Sequence, residues 1–219
     1  MKPMKDIAYD QLKELIINGT FAPGSIVLEN SLLECTGMGR TPVRQALNRL
    51  EQENLVCILP KKGIQITKIS MFDIANIYEL RKLIEPLAAR LAARNIDPAK
   101  LIPFRQAFLQ RTSLDNFQEY AVIDRAFHDQ VNAASENSLL HKRLMNVFDL
   151  NARIRTLSKK KVLNRYEQAR REHLNLIDAL MKGDAKQAEA IMRIHVANGE
   201  KAALTLLEDD EPEFLKTYE

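Results

Sequence analysis

One stretch of the chain breaks with the helical spacing of apolar residues that dominates elsewhere. In residues 56–69, VCILPKKGIQITKI, two short β-branched runs flank a Pro-Lys-Lys-Gly turn, which predicts a β-hairpin. After about residue 71 the apolar residues recur at helical spacing. We therefore expect helices near 6–19, 29–35 and 41–55 before the hairpin, and helices near 73–95, 98–111, 116–134, 137–157, 166–182 and 185–207 after it. This order predicts a mainly α protein of two domains, 1–70 and 71–219, the second an all-α helical bundle.

The composition narrows the class of protein. Hydrophobic residues make up 46% of the chain, but no run of ~18 apolar residues exists, so we expect no membrane span. The first residues, MKPMKDIAYDQL, contain no apolar segment, so we expect no secretory signal. The chain also contains only two cysteines, Cys35 and Cys57. The low cysteine count and the expected lack of a signal together favour a reduced, cytoplasmic location. The net charge of +3 is compatible with a nucleic-acid partner without requiring one.

The predicted helix at 41–55 has one apolar face and one face of hydrogen-bond donors. Thr41 is predicted as its N-cap, with Pro42 in the first helical position. The apolar face comprises Val43, Ala46, Leu47 and Leu50. The polar face comprises Thr41, Arg44, Gln45 and Asn48, with Arg40 just before the helix. These donors, together with the amide groups at the helix N-terminus, suit the base edges and phosphates of DNA.

The elements around this helix have the order of a winged helix-turn-helix. A short helix and a turn precede it, so it takes the place of the helix that reads DNA. The hairpin after it would be the wing, with Lys61, Lys62 and Gly63 at the tip, where the glycine lets the backbone approach DNA closely. The alternative is that the polar face is only the solvated side of a structural helix. The hairpin favours the DNA-binding interpretation.

Four polar residues lie on the apolar stripes of the predicted bundle. Asp124 and His128 are one turn apart in the same helix, so both point the same way. The sequence KGDAKQ at 182–187 predicts a tight turn between two antiparallel helices. His173 lies about ten residues before this turn and His195 about eleven after it, so the two side chains stand level. We expect the two pairs to meet inside the bundle.

Three imidazoles and one carboxylate form a ligand set that suits Zn²⁺, Ni²⁺, Fe²⁺, Mn²⁺ or Co²⁺, with Zn²⁺ as the first choice. We therefore predict a metal site at Asp124, His128, His173 and His195. The alternative is hydrogen-bonded core histidines, which is the commoner explanation for a single buried histidine. It explains three histidines and an aspartate on apolar stripes less well. The fourth histidine, His141, lies outside the set.

Arg81 also lies on an apolar stripe, between Ile77 and Ile84. A buried guanidinium needs an anion beside it. Two partners remain open from the sequence: Glu85, one helical turn further on, or the carboxylate of a bound effector that the arginine would hold with two hydrogen bonds.

The first third of the chain resembles a known family. The stretch NGTFAPGSIVLENSLLECTGMGRTPVRQALNRLEQENLV, followed by KKGIQIT, is similar to the winged helix-turn-helix of the GntR family of transcriptional regulators. The resemblance implies that Arg40 and Arg44 are the main DNA-contacting arginines and that Thr41 and the wing around Gly63 assist them. The chain departs from the family pattern at Asn30, Gly39 and Asn54, which bears on the operator sequence rather than on the fold.

The rest of the chain resembles the all-helical FCD sensor domain of the FadR-like branch. The similar stretches are YELRKLIEPLAARLAA at 78–93, DRAFH at 124–128 and EHLNLIDALMKGDAKQAEAIMRIH at 172–195. The spacing of the aspartate and the three histidines looks like that of the metal-binding members. The resemblance implies that the ion helps to hold a small carboxylate effector in the bundle.

We therefore expect a transcriptional regulator of the nucleoid, more often a repressor than an activator by resemblance, that responds to a small organic acid. It would bind a palindromic DNA operator as a homodimer, with one recognition helix on each half-site. The alternative is a metal-dependent hydrolase or other metalloenzyme domain fused to a DNA-binding module, since an open metal site can activate water. No general base is evident beside the site. Glu172 is nearest in sequence, but as the neighbour of His173 we expect it to point to another face.

Overall fold

The computed structural model describes residues 2–110, 117–157 and 163–208. In these residues the chain forms nine α-helices, one short 3₁₀ helix and a small sheet. The elements in chain order are α1 Met4–Ile17, β1 Ile26–Val27, α2 Glu29–Thr36, α3 Arg40–Gln52, β2 Val56–Leu59, β3 Gly63–Ile66, α4 Met71–Asn95, the 3₁₀ helix Pro98–Leu101, α5 Ile102–Gln110, α6 Phe117–Ala133, α7 Ser138–Leu157, α8 Leu163–Met181 and α9 Ala185–Glu208.

These elements group into two compact units. Among the described residues, the N-terminal unit contains 2–73 together with 149–157 from the end of α7, and the helical unit contains 74–110, 117–148 and 163–208. The predicted mainly α fold, with a winged helix-turn-helix followed by a helical bundle, is confirmed. Within the described part of the chain, no helix combines the length and the apolar character needed to cross a lipid bilayer.

The core of the N-terminal unit lies between α1, α3 and the sheet. The face of α3 predicted to be apolar is buried, and α1 packs against it through Ala8 and Leu12. Leu150, from the end of α7, packs against the same core. Because this face is buried, the opposite face of α3 is left to solvent, and its polar residues are exposed.

The sheet confirms the predicted hairpin and adds a strand to it. Strands β2 and β3 pair antiparallel, with Val56 opposite Ile66. The two-residue strand β1 pairs with the other edge of β3. Gly63 begins β3 with φ of +119°, and a Cβ atom there would lie 2.9 Å from the backbone oxygen of Val27. The wing therefore requires glycine at this position.

Two local expectations from the sequence are wrong. Helix α3 begins at Arg40, and Gly39 in an extended conformation occupies the N-cap position, so Thr41 lies inside the first turn instead of capping the helix. The helix expected at 98–111 begins as a separate 3₁₀ turn. The side chain of Asp97 accepts a hydrogen bond from the amide of Ala99, which starts this turn just before α5.

The hairpin of α8 and α9 organises the helical unit. Gly183 ends the first helix with φ of +69°, and the carboxylate of Asp184 accepts a hydrogen bond from the amide of Gln187 at 3.0 Å. Both features are those expected from the sequence KGDAKQ. The tight turn holds the two helices side by side, which brings residues equally distant from the turn to the same level.

Candidate functional site

Three histidines from three helices meet in the interior of the helical unit. His128 of α6, His173 of α8 and His195 of α9 are all buried. The ring centroids of His173 and His195 are 4.7 Å apart, and each is 5.2 Å from the ring centroid of His128. One ring nitrogen of each histidine lies within 4.8 Å of those of the other two. The structure therefore brings together the three imidazoles that the sequence grouped.

Asp124 completes the cluster. Its Oδ1 atom lies 3.4 Å from Nε2 of His173 and 3.9 Å from Nε2 of His128. The residue is buried, as its place one turn before His128 on the same helix face predicted. Asp124 thus lies beside two of the three histidines, whereas the grouping within 4.8 Å of one another comprises the three imidazoles.

The protonation state of the imidazoles suits a metal ion. Burial lowers the pKa of His128 and of His195 well below the ordinary value, so both rings are neutral and carry a lone pair. The neighbouring imidazoles lower both values further. In the part of the chain described, the buried Nδ1 atom of His128 has no hydrogen-bond partner. Two neutral imidazoles, one of them with an unpartnered nitrogen, beside a third histidine and a carboxylate fit a divalent transition-metal ion.

Glu172 orients one of these rings. Its Oε2 atom lies 2.8 Å from Nδ1 of His195, and Asn198 donates to its other oxygen at 2.6 Å. Arg165 donates to Oε2 at 2.8 Å and also lies 3.3 Å from Nδ1 of His195. The shorter contact indicates that Nδ1 of His195 carries the proton and donates it in a hydrogen bond to the carboxylate, which leaves Nε2 as the ligand atom.

Glu172 contacts the cluster although it is the chain neighbour of His173. Successive residues of a helix do point ~100° apart, but His195 reaches from α9 to the side of α8 on which Glu172 lies. Tyr120 of α6 is a second residue that contacts the cluster and that the sequence did not single out. Its hydroxyl oxygen lies 3.2 Å from Nδ1 of His173. The only sequence signal for Tyr120 was its place one turn before Asp124.

Arg81 is buried and forms an ion pair with Glu85. Burial opposes the charged guanidinium, but the Glu85 carboxylate outweighs this and holds the pKa of Arg81 above its ordinary value. The guanidinium carbon also lies 4.8 Å from the ring centroid of Tyr78. Of the two partners left open by the sequence, Glu85 is the one paired with Arg81 in the structure. The charge of Arg81 also acts on His128 and His195.

The remaining predicted residues lie on the surface of the N-terminal unit. The exposed side chains are those of Arg40, Thr41, Arg44, Gln45 and Asn48 on α3 and of Lys62 at the tip of the wing, next to Gly63. Arg44 forms a double hydrogen bond with Glu29 of α2, a partner that the sequence did not indicate. His141 lies outside the buried cluster, 2.7 Å from a carboxylate oxygen of Asp129.

Known proteins match both units. The family model described as bacterial regulatory proteins, gntR family, matches residues 5–66, and the FCD domain model matches residues 76–198. The chain is 31% identical over 191 residues to the uncharacterized HTH-type transcriptional regulator YdhC of Bacillus subtilis, a match that covers 85% of each protein. It is 28% identical over 201 residues to the HTH-type transcriptional repressor RspR of Escherichia coli, covering 89% of this chain and 86% of RspR.

A solved structure supports the fold over nearly the full length. The E. coli protein McbR/YncC superposes with a TM-score of 0.81, over 95% of this chain and 99% of its own. The sequence identity in this match is 19%, so the likeness concerns the fold alone.

Proposed function

Because the chain belongs to the GntR family of bacterial regulatory proteins and carries an FCD domain, and is thus a DNA-binding transcriptional regulator, we propose that its helical unit binds a divalent metal ion and a small carboxylate effector. The convergence of His128, His173 and His195, with Asp124 beside His128 and His173, carries this proposal, and we propose all four residues as ligands. When bound, the ion supplies a Lewis-acid position that a ligand oxygen can fill.

The ligand atoms favour a borderline metal, with Zn²⁺ first among Zn²⁺, Ni²⁺, Fe²⁺, Mn²⁺ and Co²⁺. Neutral imidazoles suit all of these ions. Two of the three rings have a second hydrogen-bond partner, Tyr120 for His173 and Glu172 for His195. Such partners hold the ring orientation and tautomer of a metal-bound histidine.

The charges around the cluster favour an anionic effector once the ion is bound. Arg81 pairs with Glu85 and Arg165 pairs with Glu172 beside the cluster. A bound divalent cation would add positive charge to these arginines, and a small carboxylate is a ligand that balances such charge. In this proposal Arg81 acts on the effector through its positive charge, while its hydrogen bonds go to Glu85.

The polar face of α3 supports a defined mode of DNA binding. We assign Arg40, Thr41, Arg44, Gln45 and Asn48 to the major groove and Lys62 and Gly63 to the wing contact. A homodimer would place one α3 helix in each half-site of a palindromic operator. Repression is the proposed mode of action, in line with the names of the relatives RspR and GlaR of E. coli. The site of action is the nucleoid in the cytoplasm.

The metalloenzyme alternative has no support. The matching family models and the named relatives are transcriptional regulators, not enzymes. Glu172, the carboxylate nearest in sequence to His173, contacts His195 and accepts hydrogen bonds from Arg165 and Asn198.

Elemental analysis tests the metal site. After loading with Zn²⁺ and removal of excess metal, we expect the full-length protein to retain about one ion per chain. The His128→Ala and His173→Ala variants should retain less than about 0.2 ion per chain, because each loses one of four ligands. His141→Ala is the matched control, since it removes a histidine outside the cluster and should leave the metal content unchanged. Metal retention by the cluster variants would contradict the assignment.

A further inference from the structure

On the exposed face of α3, Arg44 forms an ion pair with Glu29 of α2 through two hydrogen bonds. Nε of Arg44 donates to Oε1 of Glu29 at 2.9 Å, and Nη2 donates to Oε2 at 3.0 Å. The arginine side chain is 64% exposed and the glutamate side chain 28% exposed. Exposed ion pairs contribute little to stability, so this pair is better explained by what it does to the orientation and the charge of Arg44.

The geometry of the pair leaves one edge of the guanidinium available. A guanidinium has five N–H donors in a rigid plane. Glu29 takes the edge formed by Nε and Nη2, so the parallel donors at the tip, on Nη1 and Nη2, remain. Two parallel donors match the adjacent O6 and N7 acceptors that guanine presents in the major groove. Adenine presents one acceptor and one donor there, and does not match.

We propose that Glu29 is a specificity-determining residue that makes Arg44 a reader of guanine. It acts in two ways. It fixes the guanidinium with its tip donors free, and it offsets the positive charge that would otherwise draw Arg44 to the nearest phosphate. A phosphate contact would hold every DNA sequence equally, whereas a guanine contact discriminates among sequences. The proposal rests on the assignment of Arg44 to the DNA surface made above.

Two alternatives to this proposal, one for Arg44 and one for Glu29, make different predictions. If Arg44 contacts a phosphate, its loss weakens binding to all sequences alike. If Glu29 accepts a hydrogen bond from the amino group of cytosine itself, its loss removes a base preference even when Arg44 is absent. A double variant separates direct reading by Glu29 from an effect through Arg44.

The experiment is selection from a random-sequence pool of double-stranded DNA by the full-length protein. The variants are Arg44→Ala, Glu29→Ala, the double variant and Glu34→Ala. Glu34 lies on the same helix as Glu29 and is exposed, so its variant removes the same side chain away from Arg44. The affinity of each variant for a scrambled duplex measures non-specific binding, and circular dichroism confirms that each variant is folded.

We expect wild-type protein to select guanine at a half-site position that Arg44→Ala no longer discriminates. Glu29→Ala should lose at least about fivefold of the guanine preference at that position, keep the preferences elsewhere, and bind the scrambled duplex more tightly. The double variant should match Arg44→Ala, and Glu34→Ala should match wild type.

Several outcomes would overturn the proposal. Retention of the guanine preference in Glu29→Ala within about twofold means that Arg44 needs no partner to read guanine. A further loss of preference in the double variant means that Glu29 reads a base directly. A uniform loss of affinity in Arg44→Ala, with all base preferences kept, removes Arg44 from base reading and leaves the metal site proposal untouched.

Discussion

At the scale of single residues, the hydrogen-bond partner of one ring nitrogen of a buried imidazole determines whether the other nitrogen is available as a metal ligand. The carboxylate of Glu172 accepts a hydrogen bond from Nδ1 of His195, and the hydroxyl of Tyr120 contacts Nδ1 of His173. Both partners come from a helix other than that of the histidine they contact. Residue spacing along single helices therefore predicted the imidazoles and the carboxylate of the cluster. It could not predict the groups that orient them, because these lie on other helices.

The Glu172→Gln substitution should weaken metal binding without removing a ligand. Glutamine keeps the shape of the side chain but no longer provides the charged acceptor for Nδ1 of His195, so we expect the affinity for Zn²⁺ to fall roughly 10- to 100-fold. Competition with a chromophoric chelator measures this affinity. Glu167→Gln is the control, because Glu167 lies on the same helix and also pairs with arginines, but is far more exposed. Equal affinities in the two variants would show that Glu172 has no role in orienting the ligand.

At the scale of elements, the predicted turns and helix faces agree with the structure, whereas the N-cap of α3 and the added strand β1 differ from the prediction. The KGDAKQ turn and the two faces of α3 are as expected from local patterns, since each depends on residues close together in the chain. Strand β1 is only two residues long, and its place beside β3 comes from packing of the sheet edge. Periodicity carries no signal for so short a strand.

The wing supplies a prediction at this scale. Gly63→Ala should weaken the β1–β3 pairing, because the added Cβ would lie 2.9 Å from a backbone oxygen. We expect the free energy of local opening of this pairing to fall by about 1–3 kcal/mol. Amide hydrogen exchange of the β1 and β3 residues measures it.

Gly37→Ala is the matched control for the wing. Gly37 also has a positive φ, +65°, but a Cβ atom there meets nothing within 4 Å. This variant should destabilise the end of α2 by roughly 1 kcal/mol and leave exchange in the sheet unchanged. Equal protection of the β1 and β3 amides in both variants would mean that the close approach at Gly63 is relieved without cost.

At the scale of the whole molecule, one chain joins a DNA-binding unit to a unit with a candidate metal centre. Linkage requires that any change of DNA affinity produced by metal and effector be matched by an equal change of their affinity on DNA. This reciprocity holds whatever structural route carries the signal.

A thermal-shift screen of small carboxylates identifies effector candidates. In the presence of Zn²⁺, a carboxylate that binds the native protein should raise its melting temperature, and should not do so in His128→Ala. We expect the same compound to change operator affinity by about 5- to 150-fold, the range of typical coupling energies. Fluorescence anisotropy with labelled operator measures the change. A carboxylate that stabilises the wild type and His128→Ala equally would place the effector site away from the metal.

The sequence by itself determined the α-helices and their order, the hairpin, the polar face of α3 and the two pairs Asp124 with His128 and His173 with His195. Each of these depends on periodicity or on spacing within one helix or one tight turn. Only the tertiary structure decided which charged group pairs with which: Glu85 with Arg81, Glu172 with His195, and Glu29 with Arg44. For the pairs that join different helices, the partners depend on how those helices pack, which no local pattern encodes. For Arg81 and Glu85, which share a helix, the sequence offered the partner but could not choose it over a bound carboxylate.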